Sequence, residues 1–335
     1  MKAFRINKYD KKGDLQLADV PVPIIKDNEV LVEIHASGVN LLDSKIKSGE
    51  FKLILPYKLP LTLGHDVAGV ITQVGGQAKK FKVGDEVYSR PADHHIGTFA
   101  DYIAINEKDV ALKPKNLTME EAASIPLVAL TAWQALVEIA HLKKDQKVFI
   151  QAGSGGVGTI AIQLAKHLGA TVATTASEKS FGMLKNLGAD VLIDYKKEDF
   201  ESILKDYDVV LNSQDNKTLE KSLRILKPGA TAISISGPPT GDFAKAIGAP
   251  WFVKLILSLI SYGIRKKAKK LGIDYSFLLM RADGRQLQEI SKLIEQIAIK
   301  PVVDKVFPFD QTNEALKYVE SGHAKGKVVV RKRER

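Results

Sequence analysis

Cysteine is absent from the 335 residues. That excludes disulfides, iron–sulfur clusters, thiol nucleophiles and every thiolate-bound zinc site. Long hydrophobic runs are lacking too. The most apolar stretch, 251–264, has only Lys254 charged, and it is too short to span a bilayer. The opening residues 1–13 are polar, without the apolar core of a signal peptide. Neither an internal repeat nor a low-complexity linker is visible.

What is present is ordinary for a globular protein: 45% hydrophobic and 26% charged residues, over a length that suits one large or two ordinary domains. The net charge of +10 is unevenly placed. Residues 1–123 hold 17 basic and 17 acidic residues, 124–243 hold 13 and 13, and 244–335 hold 19 and 9. Most of the excess comes from Arg265, Lys266, Lys267, Lys269 and Lys270, and from the tail 327–335. A nucleic-acid surface along the whole chain is therefore not expected; a local basic feature is.

The texture of the chain changes near residue 120. Before it lie short β-branched runs, such as 29–34 and 68–74, separated by turns such as Gly75-Gly76 and Gly84-Asp85. They predict an antiparallel, partly open barrel. Thr118 with Glu121 three residues on forms a capping box for an alanine-rich helix running to about 138. From 147 the chain alternates strands (148–150, 171–176, 191–193, 208–211, 231–235) with helices (157–168, 179–187, 199–204, 219–226). That alternation predicts a doubly wound parallel sheet, an α/β fold. Beyond the apolar stretch, 275–280 reads as a strand. A helix over 284–298 carries Leu287, Ile290, Leu293, Ile294 and Ile297 on one face, followed by a helix at 311–320 and a strand at 328–330.

Gly153-Ser154-Gly155-Gly156-Val157-Gly158 fits G-x-G-x-x-G, follows a predicted strand and opens a predicted helix. Glycines there permit a tight turn and a close approach of backbone to a pyrophosphate, while the helix start supplies unpaired N–H groups. About 20 residues on, a dinucleotide site that prefers NAD carries an acid for the ribose 2′-hydroxyl. Here Ser177 stands at that place with Lys179 beside it, a pair suited to a 2′-phosphate, so NADPH is expected over NADH. Glu178 is the acid only if the strand ends one residue later.

Several further segments come in a telling order: Gly64-His65-Asp66-Val67-Ala68-Gly69, Val83-Gly84-Asp85-Glu86-Val87, Gly97-Thr98-Phe99-Ala100-Asp101-Tyr102, Ala122-Ala123-Ser124-Ile125-Pro126 and Gly322-His323-Ala324-Lys325-Gly326-Lys327. With the glycine turn they resemble the medium-chain dehydrogenase/reductase superfamily, and most of all its zinc-free quinone oxidoreductase and enone (2-alkenal) reductase branch. The resemblance covers nearly the whole chain. It implies a GroES-like, partly open β-barrel catalytic domain (1–123 and 283–335). Between its two parts in sequence lies a Rossmann NADP-binding domain (124–282) with an apolar and basic insert at 244–270.

The zinc enzymes of that superfamily hold zinc on Cys and His. Here Asn40 stands where the first Cys would be, and only His65 survives. A set of His65, Asp66, His94 and His95 lacks supporting spacing, so no metal is expected and His65 reads as a structural, hydrogen-bonded histidine. Without a Lewis acid, alcohol oxidation is hard, because an alkoxide must be stabilised. Reducing a conjugated C=C bond or a quinone gives an anion that is already delocalised, so positioning and hydrogen-bond donors suffice. The expected activity is an NADPH-dependent, zinc-independent reduction of a small-molecule electrophile. Alternatives are a zinc-free alcohol dehydrogenase, or a non-catalytic relative that senses NADPH or binds RNA.

The resemblance also suggests roles. Asn40 and Asp43 lie near the nicotinamide, Asn40 donating to a substrate oxygen and Asp43 either catalytic or orienting Asn40 or Lys45. Thr131 contacts the nicotinamide side; Phe51 and Tyr57 line the substrate mouth. Tyr195 packs near the adenine ribose phosphate. Asn212 and Ser213 face the cofactor, and Ser236 and Gly237 the nicotinamide ribose. A cytoplasmic homodimer is expected, pairing through the Rossmann edge strand 275–280. The insert reads as a lid or helix pair over the substrate cleft or a dimer contact, or else as an attachment to an anionic membrane.

Overall fold

Valine and isoleucine at alternate positions make Glu29–Val39 a strand buried on both faces, and it is the spine of the first unit. The computed structural model describes residues 1–332; the end of the basic tail, 333–335, lies outside the described residues. Two compact units emerge, one of Met1–Leu130 with the stretch that begins at Arg281, the other of Thr131–Met280.

In the first unit a seven-stranded sheet runs in the order Val303–Pro308, Lys327–Arg331, Glu29–Val39, Val67–Val74, Glu86–Ser89, Val110–Leu112, with Tyr102–Asn106 also paired to Glu29–Val39. A smaller sheet joins Gln16–Asp19, Lys2–Ile6 and Leu61–Thr62. The interior is filled by Val30, Val32, Ile34, Ile71, Val87 and Ile105; each such side chain is worth about 1.5–3 kcal/mol when fully buried. Lys327–Arg331 runs antiparallel to Glu29–Val39 with Val328 opposite Val39. The C-terminal strand thereby brings Lys327 beside Asn40, 287 residues away in sequence.

The second unit is a six-stranded sheet, all of its pairs parallel. Its order is Val191–Asp194, Thr171–Ala176, Lys147–Ile150, Tyr207–Asn212, Leu226–Ser234, Asp274–Phe277. In chain order that is 3-2-1-4-5-6, the doubly wound arrangement whose direction of winding reverses beside the first strand. Central strands covered on both sides must be apolar throughout. Val148, Phe149 and Ile150 are accordingly inaccessible.

Three elements differ from the sequence expectation, while the apolar stretch forms the helix pair that one reading of it offered. The alanine-rich helix is broken into Met119–Ala123 and Pro126–Trp133, followed by a widened π-helical segment, Gln134–Ile139. Pro126 has no N–H to continue the first helix and suits the first turn of a second. In the π segment Ala140 N–H reaches back five residues to the Ala135 carbonyl at 2.9 Å. The apolar stretch forms two helices, Trp251–Ile260 and Tyr262–Lys270. The strand expected at 275–280 is shorter and more polar, Asp274–Phe277. The helix expected to run to 298 ends at Glu295, and Ile297 sits beyond it with φ 60° and its side chain exposed rather than on the buried face.

Candidate active site

The glycine turn joins Lys147–Ile150 to the helix Gly156–His167, with Gly155 at the N-cap. It is fastened to the neighbouring strand: Gly153 N–H donates to the Thr175 carbonyl at 3.0 Å and Ala152 N–H to Thr175 Oγ1 at 3.2 Å. Ala152 holds φ 50°, a left-handed conformation that a residue with a Cβ rarely adopts.

The glycines are required for different reasons. A Cβ on Gly153 would sit 2.2 Å from Thr174 Oγ1, and one on Gly158 would sit 2.6 Å from the Ala152 carbonyl oxygen and the Gly153 Cα. Both are demanded by the protein's own packing. Gly155 is not: its φ is −80°, and a Cβ there would meet nothing closer than the Ala152 oxygen at 3.4 Å. Space kept clear over the start of a helix, where the first N–H groups lack intrahelical partners, fits a phosphate group. Ser154, Gly156 and Val157 are half-buried around that opening.

Ser177 follows directly on Thr171–Ala176, so the strand ends where the sequence puts it. Lys179 is exposed in the next turn. Tyr195 follows directly on Val191–Asp194, is 62% exposed, and has the Lys196 ammonium 5.9 Å from its ring. Ala176 and Asp194 are paired across the two strands. Ser177, Lys179 and Tyr195 are therefore gathered at one edge. Glu178, the competing acid, is held by Lys197 at 2.6 Å.

The next loops are tied together by internal hydrogen bonds. Asn212, expected to face the cofactor, is fully buried, and its amide donates to Ser234 Oγ at 2.7 Å and the Gln214 carbonyl at 3.2 Å. Ser213 Oγ donates to the Gln151 carbonyl at 3.3 Å, and Ser236 Oγ to the Gln214 carbonyl at 2.6 Å. Gly237 N–H donates to Ser234 Oγ at 2.7 Å. A buried amide must satisfy its donors inside the protein, as that of Asn212 does, whereas Ser213 is half-buried and Ser236 exposed.

In the first unit a buried polar network centres on Asn40, at the N-cap of Leu41–Lys47. Asp43 Oδ2 accepts from Asn40 N–H at 2.8 Å, and Asp43 Oδ1 pairs with His65 Nδ1 at 2.6 Å. Because a carboxylate only accepts, Nδ1 carries the proton. Asn40 was expected to donate to substrate. Instead its amide donates to Asp66 Oδ2 at 3.0 Å and its carbonyl accepts from the Lys327 ammonium. Lys327 Nζ also bonds Asp66 Oδ2 at 3.1 Å and the Val39 carbonyl at 3.2 Å. Asp66 Oδ1 accepts the Leu127 N–H at 2.7 Å. Lys327 was not singled out from sequence, and Asp66 only as a member of the unsupported metal set; both lie in the segments that carry the family resemblance.

Buried atoms of this region without a partner among the described residues include His65 Nε2 and the Tyr57 hydroxyl, along with Ser44 Oγ and Thr98 Oγ1. Burial pushes the Tyr57 phenol well above the usual tyrosine range, with the Asp93 carboxylate adding to it. Tyr57 thus remains a hydrogen-bond donor at physiological pH. Phe51 is half-buried with the Lys45 ammonium 5.6 Å from its ring. Thr131 is buried in Pro126–Trp133.

Among the described residues no group of three or more His, Asp or Glu is placed to hold a metal. Asp66 is saturated by Lys327, Asn40 and Leu127 N–H, and Asp43 by His65 and Asn40 N–H. The donor set beside His65 does not fit zinc.

Sheet order and glycine turn define a dinucleotide-binding fold of the Rossmann class. Residues 26–115 match the alcohol dehydrogenase GroES-like domain, and residues 187–330 match the zinc-binding dehydrogenase domain. The chain is 36% identical over 357 residues to "NAD(P)H oxidoreductase RTN4IP1, mitochondrial" of Danio rerio, covering 98% of this chain and 91% of that one. It is 37% identical over 341 residues to "2-methylene-furan-3-one reductase" of Solanum lycopersicum, covering 98% and 79%. Among solved structures, the quinone oxidoreductase from Coxiella burnetii superposes with a TM-score of 0.86 at 29% identity, over 99% of both chains. The chain belongs to the medium-chain dehydrogenase/reductase superfamily and is an NAD(P)H-dependent oxidoreductase of its quinone and enone reductase group.

Proposed function

We propose that the chain uses NADPH in preference to NADH, and no zinc, to reduce a quinone or an α,β-unsaturated carbonyl. The observation that carries the cofactor choice is the edge formed by Ser177, Lys179 and Tyr195, where Lys197 has neutralised the one candidate acid, Glu178. Bound NADPH supplies the hydride for the electrophilic carbon, and one proton from solvent completes the two-electron reduction. The chain's own residues do the rest. Gly155 and the amides after it hold the pyrophosphate. The Tyr57 hydroxyl, buried and unpartnered, donates to the substrate oxygen as negative charge grows there. Asp43 fixes His65 and the Asn40 backbone, so Asp43 and Asn40 are positioning residues. Phe51 flanks the substrate and Thr131 the nicotinamide.

The same proposal assigns catalysis to the first unit and NADPH binding to the second. It joins two copies through the edge strand Asp274–Phe277. It places the chain in the cytoplasm, with a peripheral contact between the 244–270 insert and an anionic membrane. Stopped-flow NADPH and NADH oxidation against a panel of quinones and alkenals tests the activity. Tight NADPH binding with no turnover on any acceptor would overturn it in favour of a sensor. Sedimentation velocity and cell fractionation test the assembly and the location.

A further inference from the structure

Helix Trp251–Ile260 presents two opposite faces. Val253 and Leu257 are buried beneath it, and the helix packs against Gly241–Ala246 so closely that a Cβ on Gly241 would lie 2.1 Å from Ser258 Oγ. The helix is therefore firmly seated. Its other face carries Trp251, Leu255 and Leu259 at i, i+4 and i+8, with relative exposures of 77%, 54% and 68%. Phe252 extends this face, and Ile260 at the end of the helix is exposed as well. A soluble protein does not ordinarily leave so many large apolar side chains together in water.

The next helix, Tyr262–Lys270, continues from it with a basic cluster: Arg265, Lys266, Lys267, Lys269 and Lys270. Of these, Lys267 pairs with Glu220 at 2.6 Å and Arg265 donates to the Ser258 carbonyl at 3.0 Å, while Lys266, Lys269 and Lys270 are exposed. An apolar face opposed by a second copy would set two such clusters near each other, which like charges disfavour. An anionic surface with an apolar interior satisfies both features at once. Trp251 and Tyr262 flank the apolar face, and these are the residue types that settle at headgroup level. No helix of the described residues is long and apolar enough to cross a membrane, so the helix would lie in the plane of the surface.

We infer that Trp251–Ile260 is the insertion element for an anionic lipid bilayer, its Trp251, Leu255 and Leu259 face entering the acyl boundary while the 265–270 cluster engages headgroup phosphates. The inference rests on the peripheral contact proposed above and adds the residues and the orientation. It does not depend on the catalytic reading.

The test is flotation of the full chain with phosphatidylcholine vesicles, with and without phosphatidylglycerol, together with quenching of tryptophan emission by brominated acyl chains. Expected are binding to the anionic vesicles only, loss of that binding at high salt, and quenching on binding. Lys266→Gln with Lys269→Gln and Lys270→Gln should weaken binding by roughly fivefold per charge removed. Leu255→Ser with Leu259→Ser should abolish the quenching and weaken binding at least tenfold, with NADPH oxidation unchanged as the check on folding. If the wild-type chain ignores anionic vesicles at low salt, both the peripheral contact and the insertion element fall. Binding and quenching that are both unchanged in Leu255→Ser/Leu259→Ser overturn the insertion element alone. A dimer that dissociates in that double variant assigns the face to a second copy and also overturns it.

Discussion

A methyl group added at Gly155 separates what the fold requires from what a ligand requires. At φ −80° and ψ 171° the backbone admits alanine, and the nearest atom to the new Cβ is 3.4 Å away. Alanine restricts the unfolded chain, a gain of about 0.4–1 kcal/mol. It is a poorer N-cap than glycine by a similar amount, roughly 0.5–1 kcal/mol. The two nearly cancel, so Tm should move by no more than about 2–4 °C in a chain of this size. Cofactor binding should behave differently. The Cβ occupies the space through which a pyrophosphate reaches the helix amides, and losing one hydrogen bond to a charged group costs about 1.5–3 kcal/mol. The Kd for NADPH should therefore rise by ten- to roughly 150-fold. Fluorescence titration with NADPH, alongside thermal unfolding, reads both quantities on one preparation. Gly158→Ala is the contrasting case: its Cβ would lie 2.6 Å from backbone atoms, so it should lose roughly 1–3 kcal/mol of stability. A Gly155→Ala protein that binds NADPH as tightly as wild type would refute the reasoning, since nothing else in the structure explains the glycine.

Lys179→Ala should raise KM for NADPH by roughly tenfold and leave KM for NADH unchanged, because it removes a charged partner of the 2′-phosphate alone; equal effects on both cofactors would remove Lys179 from the site. Lys327→Met strands the Asp66 carboxylate, buried at 0% exposure, and should cost about 3–5 kcal/mol in urea unfolding. Adding Asp66→Asn should recover part of that loss, as a double-mutant cycle would show. Asp43→Asn replaces one acceptor with a donor facing either His65 Nδ1 or Asn40 N–H, whose distances are 2.6 and 2.8 Å. It should cost about 2 kcal/mol and lower kcat with little change in KM for NADPH. Tyr57→Phe should lower kcat by roughly ten- to a hundredfold at unchanged stability, because it removes a donor that has no partner in the protein; an unaltered kcat would assign the hydroxyl no part in the reaction.

Much of the second unit was legible in the sequence because each element is set by local pattern. Strand 148–150 is apolar without interruption, the glycine turn has its own signature, and the strand end at Ala176 follows from Ser177 onward turning polar. Breaks that depend on a single backbone group were harder to see. Pro126 splits a helix whose alanine content alone argues for continuity, and Ser261 divides the apolar stretch where composition shows only more helix. The first unit's network was the least legible part. Lys327 reaches Asn40 only because the last strand pairs with Glu29–Val39 in one register, Val328 against Val39. No spacing along the chain announces that pairing.

The same distance between residue type and residue role separates the catalytic reading of Asn40 and Asp43, and the cofactor-facing reading of Asn212, from what these side chains touch. Amides and carboxylates suggest chemistry when seen in sequence, but burial obliges each to find partners, and in this fold they find one another. Asn40 spends its amide on Asp66, Asp43 its two oxygens on His65 and Asn40, and Asn212 its amide on Ser234 and Gln214. A buried polar group fully paired within the protein is poor at binding anything else, since each new bond must displace an existing one. The atoms available for substrate are those left over after this pairing. In the first unit they include His65 Nε2 and the Tyr57 hydroxyl, both buried and both unpartnered among the described residues. The network's work is then to hold these in place, with Asp43 fixing the imidazole through Nδ1 so that Nε2 points away from the carboxylate.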